Sequence, residues 1–159
     1  MREIADTAGV NRGLLHHYFG AKEDLLAAIV SAASERAAVG VREAPDLLTA
    51  LATVRGQTTG YARTLGWALI SGMDPDDFAG PSPTVAALLE HAGRVDRSPE
   101  AGKAADDRMV VAAALTLVLG WHVFEPFMVR AAGLEDLTPE ERAAQLGRII
   151  DTMVTNSLS

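Results

Sequence analysis

The chain has 159 residues, a net charge of −7 and no cysteine. That length suits one ordinary domain with at most a small second module, and the absence of thiols excludes a disulfide scaffold, a thiolate zinc site, an iron–sulfur cluster and a cysteine nucleophile. With 22% charged, 48% hydrophobic and only 5% aromatic residues, the composition is that of a globular helical protein rather than a disordered or strand-rich one.

Helical periodicity runs nearly end to end, broken by Gly, Pro and Asp. Ile4, Ala5 and Ala8 share one face of a short helix that should stop at Gly9, a residue suited to the left-handed terminator position. Asn11 can cap a second helix carrying Leu15 and Phe19 one turn apart. Gly20 and Ala21 break it, and a longer helix follows from Lys22 with Leu25, Leu26, Ile29, Val30 and Ala33 as its apolar stripe. Residues 40–46, with Pro45, read as a linker, and residues 47–71 as helix, either unbroken or as two helices meeting at Gly56. A loop over 72–83 leads to a helix begun by Ser82-Pro83, with proline in the first turn where it is tolerated.

The longest predicted helix covers residues 104–131, where Val110, Ala114, Leu117, Trp121, Phe124 and Met128 alternate spacings of 4 and 3 as in a packing seam. Pro126 should kink it. Thr138-Pro139-Glu140-Glu141 combines a cap, a first-turn proline and a glutamate three residues on, and starts a last helix carrying Leu146, Ile149, Ile150, Met153 and Val154. No alternating strand pattern or repeat occurs, so the expected fold class is all-α. Residues 109–124 form an uncharged stretch shorter than the ~20 residues that span a bilayer. The first residues lack a hydrophobic segment, so neither a membrane span nor a signal peptide is expected, and the location should be cytoplasmic.

The acidity is unevenly placed. Residues 1–42 hold five Lys/Arg and five Asp/Glu, whereas residues 43–159 hold nine and sixteen. The net charge argues against nucleic acid, but the N-terminal segment is exempt. Two short helices meeting at a glycine, followed at once by a third, have the outline of a helix-turn-helix. With Leu15 and Phe19 facing inward, the second helix turns Gly13, Leu14 and His17 outward and Arg12 and His16 to its flanks. Gly13 costs about 1 kcal/mol against alanine inside a helix, which makes sense where a groove must come close. Lys22 opposes the macrodipole at the start of its helix, and a phosphate there would relieve the conflict. A solvated helical hairpin would carry the same residues, so spacing alone leaves both readings open.

The run from Arg2 to Leu26 strongly resembles the helix-turn-helix of tetracycline-repressor-like (TetR) transcriptional regulators. Its Ile4-Ala5, Ala8-Gly9-Val10, His17-Tyr18-Phe19 and Lys22-Glu23-Asp24-Leu25-Leu26 elements stand at the family's spacing. The segment from Gly120 to Phe127 also resembles one found in a branch of that family, and the rest agrees in helix order. The resemblance implies that Arg12, Leu14 and His17 read base edges with help from Arg2, while His16, Tyr18 and Lys22 hold phosphates of a double-stranded operator. Arg12 would suit guanine and Leu14 a thymine methyl. The sequence departs from the pattern at Leu14, where a polar residue is common, and at Ala21, where a capping residue is usual. Family members also carry a helix before this point, so the first helix of the DNA-binding module is expected to be absent here.

Nothing points to catalysis. His16 and His17 diverge, His122 and Glu125 lack a third ligand at helical spacing, Ser71 and Ser82 have no triad partners nearby, and no glycine-rich phosphate loop occurs. No enzyme activity, cofactor or metal is expected. Trp67, Phe78, Trp121, Phe124 and Phe127, with Met73 and Met128, each fit plain core. Together, in an alanine-rich chain, they suggest large walls around an apolar ligand cavity, with Tyr61, His91 and His122 as its polar groups. The expected ligand set is thus Tyr61, Trp67, His91, Trp121, His122 and Phe124.

These features predict a DNA-binding module over residues 1–39 and a ligand-binding and dimerisation domain over 40–159. The expected function is transcriptional regulation, as a homodimeric repressor released from DNA by a small apolar ligand. Val110, Leu117, Leu146, Ile150 and Met153 are expected at a four-helix dimer interface, because their two helices would otherwise expose a large apolar patch. The alternative is a ligand-binding or structural helical dimer that no longer binds DNA because the first helix is missing. A helical-bundle enzyme using His122 and Glu125 is a more distant third.

Overall fold

A computed structural model describes residues 2–57, 59–74, 76, 82–95 and 105–158. Its elements are α1 (Arg2–Ala8), α2 (Arg12–Phe19), α3 (Lys22–Glu43), α4 (Leu47–Gln57), α5 (Thr59–Ile70), α6 (Pro83–Ala92), α7 (Asp107–Ala131) and α8 (Pro139–Leu158), with no strand among the described residues. The fold is all-α, as the periodicity requires.

Local chemistry sets the boundaries. Gly9 takes φ 66°, which lets the Val10 N–H close back on the Ala5 carbonyl at 3.0 Å and end α1. Asn11 Oδ1 then accepts from the Gly13 N–H at 2.7 Å and starts α2. Asp46 Oδ1 accepts from Thr49 N at 2.8 Å to start α4, and Ser82 caps α6. At α8 the expected reciprocal box is present: Thr138 Oγ1 accepts from Glu141 N at 3.2 Å, and Glu141 Oε2 accepts from Thr138 N at 2.8 Å.

The linker expected over 40–46 begins later. Helix α3 continues through Gly40 to Glu43 because Val41 is fully buried in the core, and the chain turns at Ala44, extended before Pro45. At 22 residues, about 33 Å, α3 reaches from α2 to the centre of the bundle, where it packs on α4, α5 and α6.

The core joins Val41, Leu47, Leu51 and Val54 to Leu88 of α6, Val111 and Val118 of α7, and Ile150, Val154 and Leu158 of α8. Helix α7 is long and apolar enough to cross a membrane by length and composition. Here it packs against α5, α6 and α8, and Pro126 lies within it. The core side of α7 is Val110, Val111, Ala114 and Val118, while Leu117, Phe124 and Met128 are exposed. The expected seam therefore splits between two faces. A straight helix drifts about 20° per heptad from a strict seven-residue repeat, and the bundle selects the face four residues apart.

Candidate nucleic-acid interface and ligand cavity

Helix α2 presents Leu14, His17 and Tyr18, spaced three and four residues apart, on one solvent face. Leu14 is 52% and Tyr18 74% exposed, and the His17 ring meets Tyr18 edge-on with centroids 5.3 Å apart. The expected side chains of Arg2, Arg12 and His16, like the inward-facing Ile4, Leu15 and Phe19, lie outside the described residues. A Cβ on Gly13 would stand 3.0 Å from Asn11 Oδ1, so the cap of α2 itself favours glycine there.

After α2, Gly20 takes φ 64°, and a Cβ there would lie 2.8 Å from Asp24 Oδ2. That carboxylate accepts from the Ala21 N–H at 2.8 Å and starts α3 in place of a capping side chain. Lys22 follows with its ammonium 4.0 Å from the centroid of the Trp67 ring on α5. The ring face and the acidic first-turn residues Glu23 and Asp24 relieve the macrodipole conflict that the sequence had suggested a phosphate for.

A cavity of about 480 Å³ lies among α3, α4, α5, α6 and α7. Ala33, Ala37, Val54, Leu65, Val85, Leu115 and Leu119 form its apolar walls, with Tyr61, Arg36, Ser34, Ser82 and Thr84 as the polar ones. The three small hydroxyls satisfy one another: Ser34 Oγ lies 2.6 Å from Ser82 Oγ and 3.2 Å from Thr84 Oγ1, which donates to the Ser34 carbonyl at 2.7 Å. Burial pushes the Tyr61 phenol above its ordinary pKa.

Of the six residues expected at a ligand, only Tyr61 lines this cavity. Trp67 lies on the surface under Lys22, and Phe124 is 54% exposed. His91 Nε2 is 2.8 Å from the Val41 carbonyl and ties α6 to α3, His122 Nε2 is 3.2 Å from the Arg55 carbonyl, and Trp121 packs on the core. Large aromatic and polar side chains suggested those six, whereas this cavity arises where volume is missing. Ala33 and Ala37, one turn apart on α3, are the readable signal. Phe78 lies outside the described residues.

The expected interface residues also separate. Val110, Leu146 and Ile150 are buried in the core of the single chain, whereas Leu117 is exposed and Met153 half-buried. The apolar surface includes residues not expected there: Met109 and Phe127 on α7 and Ile149 on α8. Glu125 forms an ion pair with Arg142 at 3.0 Å, and no group of three metal-ligating side chains occurs among the described residues.

The family described as bacterial regulatory proteins, tetR family, matches residues 1–29. An HTH-type transcriptional repressor of Mycobacterium tuberculosis is 32% identical over 142 residues, which is 89% of this chain and 70% of the relative. An HTH-type transcriptional regulator of Mycobacterium bovis matches to the same extent, 32% over 142 residues. The HTH-type transcriptional regulator BetI of Rhizobium meliloti is 37% identical over 102 residues, 63% of this chain and 43% of BetI. No solved structure matches the chain.

Proposed function

The chain belongs to the tetR family of bacterial regulatory proteins and is a transcriptional regulator rather than an enzyme, and from that premise we propose that it is a homodimeric repressor whose α2 helices read an operator and whose cavity takes a small apolar effector that releases the DNA. The observation that carries this reading is the placement of α3. It begins at Lys22 directly after α2, and three turns later Ala33, Ser34, Arg36 and Ala37 wall the cavity. An occupant that moves those residues moves the base of the DNA-facing helix.

In this reading Arg12, Leu14 and His17 meet base edges with help from Arg2, and His16, Tyr18 and Lys22 hold phosphates. The exposed Leu14, His17 and Tyr18 face suits such a role, since large apolar groups displayed together on a short helix mark contact surfaces. The exposed strip of Leu117, Phe124, Phe127 and Met128 on α7, with Ile149 on α8, supports a dimer, which would set two α2 helices against half-sites about one helical turn apart. The test is footprinting of the purified chain on the DNA upstream of its own gene. Two protected half-sites that are lost when a cavity ligand is added are expected. Protection unaffected by any ligand that occupies the cavity would refute effector control, and no protection at any duplex would refute DNA binding.

A further inference from the structure

The cavity is apolar except for a rim rich in hydrogen-bond donors. Among its described lining residues only Arg36 is ionised at neutral pH. No carboxylate is available to it along its own helix, because positions one turn away are Ala32, Ala33, Val39 and Gly40. Among the described residues it makes no ion pair or hydrogen bond. The Ser34, Ser82 and Thr84 hydroxyls are occupied with each other. What is left facing a ligand is a guanidinium, which only donates, and the Tyr61 phenol, which is protonated at neutral pH. In a chain of net charge −7, a cation beside an apolar cavity has a specific use.

We propose that the cavity takes an amphipathic monocarboxylate, its apolar body against Val54, Leu65, Leu115 and Leu119 and its carboxylate on Arg36, with Tyr61 as the second donor. This rests on the reading of the cavity as the effector site. A neutral apolar molecule would leave the exposed Arg36 guanidinium to water, whereas a carboxylate offers two acceptor oxygens in the geometry a guanidinium matches. The volume of about 480 Å³ fits a compact ligand, since sites for drug-sized molecules run roughly 300–1,000 Å³.

The experiment is calorimetric titration of the full chain with decanoate, decanol and decyltrimethylammonium, each below its micellar concentration. Decanoate should bind at least about ten-fold tighter than decanol, a difference of about 1.4 kcal/mol, and the cation weakest. Arg36→Gln, at an exposed position, should remove the preference for decanoate over decanol. Ala33→Phe, which fills the cavity from α3, should abolish both. Equal affinity for decanoate and decanol, or a preference that persists in Arg36→Gln, would overturn the carboxylate assignment while leaving the cavity as a ligand site. Binding that survives Ala33→Phe, or no binding of any of the three by the unaltered chain, would overturn the cavity reading itself.

Discussion

Lys22 and Trp67 join the start of α3 to α5, the ammonium lying 4.0 Å from the centroid of the indole ring. An exposed pair of this kind contributes about 0.5–1 kcal/mol, little enough for a phosphate to compete for the same ammonium. If Lys22 leaves the ring to hold DNA, Trp67 should report it. In a Trp121→Phe background, where Trp67 is the sole indole, its emission should shift on adding operator duplex at low salt. Emission unchanged under saturating DNA would show that Lys22 stays on the ring and holds no phosphate.

Replacing Lys22 itself separates phosphate contact from base reading. Lys22→Ala should weaken binding to cognate and random duplexes alike and reduce the salt slope by about one unit. Leu14→Ala should instead lower affinity for the cognate duplex alone. Equal effects of the two substitutions on both duplexes would contradict the division of roles.

Exposure divides the α7 and α8 residues into two classes with opposite outcomes. Phe124→Glu and Leu117→Glu alter side chains exposed in the single chain, so each should give a folded monomer in sedimentation. Ile150→Ala removes a fully buried side chain from the core and should cost about 2–5 kcal/mol of stability. A dimer that survives both glutamate substitutions would place the partner surface elsewhere.

The boundaries of the fold were legible wherever a side chain acts on its own backbone. Asn11, Ser82 and the Thr138–Glu141 pair do so within three residues, and each begins its helix as read. Faces were harder to read. The seam through Leu117, Phe124 and Met128 is a genuine periodicity, but the chain alone does not say which of two adjacent stripes the bundle covers. The cavity was hardest, because it arises where Ala33 and Ala37 fail to fill space between five helices. Trp67 and His91 attracted attention by their chemistry, yet a lysine and a backbone carbonyl claim them.

Gly20 offers a test of the junction between α2 and α3. With φ 64° and a Cβ position 2.8 Å from Asp24 Oδ2, Gly20→Ala should cost about 1–2 kcal/mol from the left-handed backbone and dislodge the carboxylate that caps Ala21. Amide exchange at Ala21 should quicken. Gly56→Ala, in open space near the end of α4, is the control and should stabilise by up to about 1 kcal/mol. If both substitutions destabilise equally, the cost is not a matter of the Gly20 conformation.

At three helix starts a carboxylate is held below its ordinary pKa, which sets the response to acid. Asp106, at the start of α7, is held down to about 2 by the Arg108 side chain and by the Arg108 amide. Asp46 at α4 and Glu141 at α8 are lowered by hydrogen bonds from the Thr49 and Thr138 amides and hydroxyls. In each case the folded value lies below the unfolded one, so the stability these groups contribute is complete above the unfolded value of about 4 and is lost as the pH falls towards the folded one. Urea midpoints should therefore be flat down to about pH 4.5 and fall between there and about pH 2. Asp106→Asn keeps a competent cap but cannot be protonated, and with Asp46→Asn and Glu141→Gln it should lower the midpoint slightly at pH 7 and flatten the acid limb. An acid limb as steep in the triple variant as in the unaltered chain would mean that carboxylates other than these three govern the acid response.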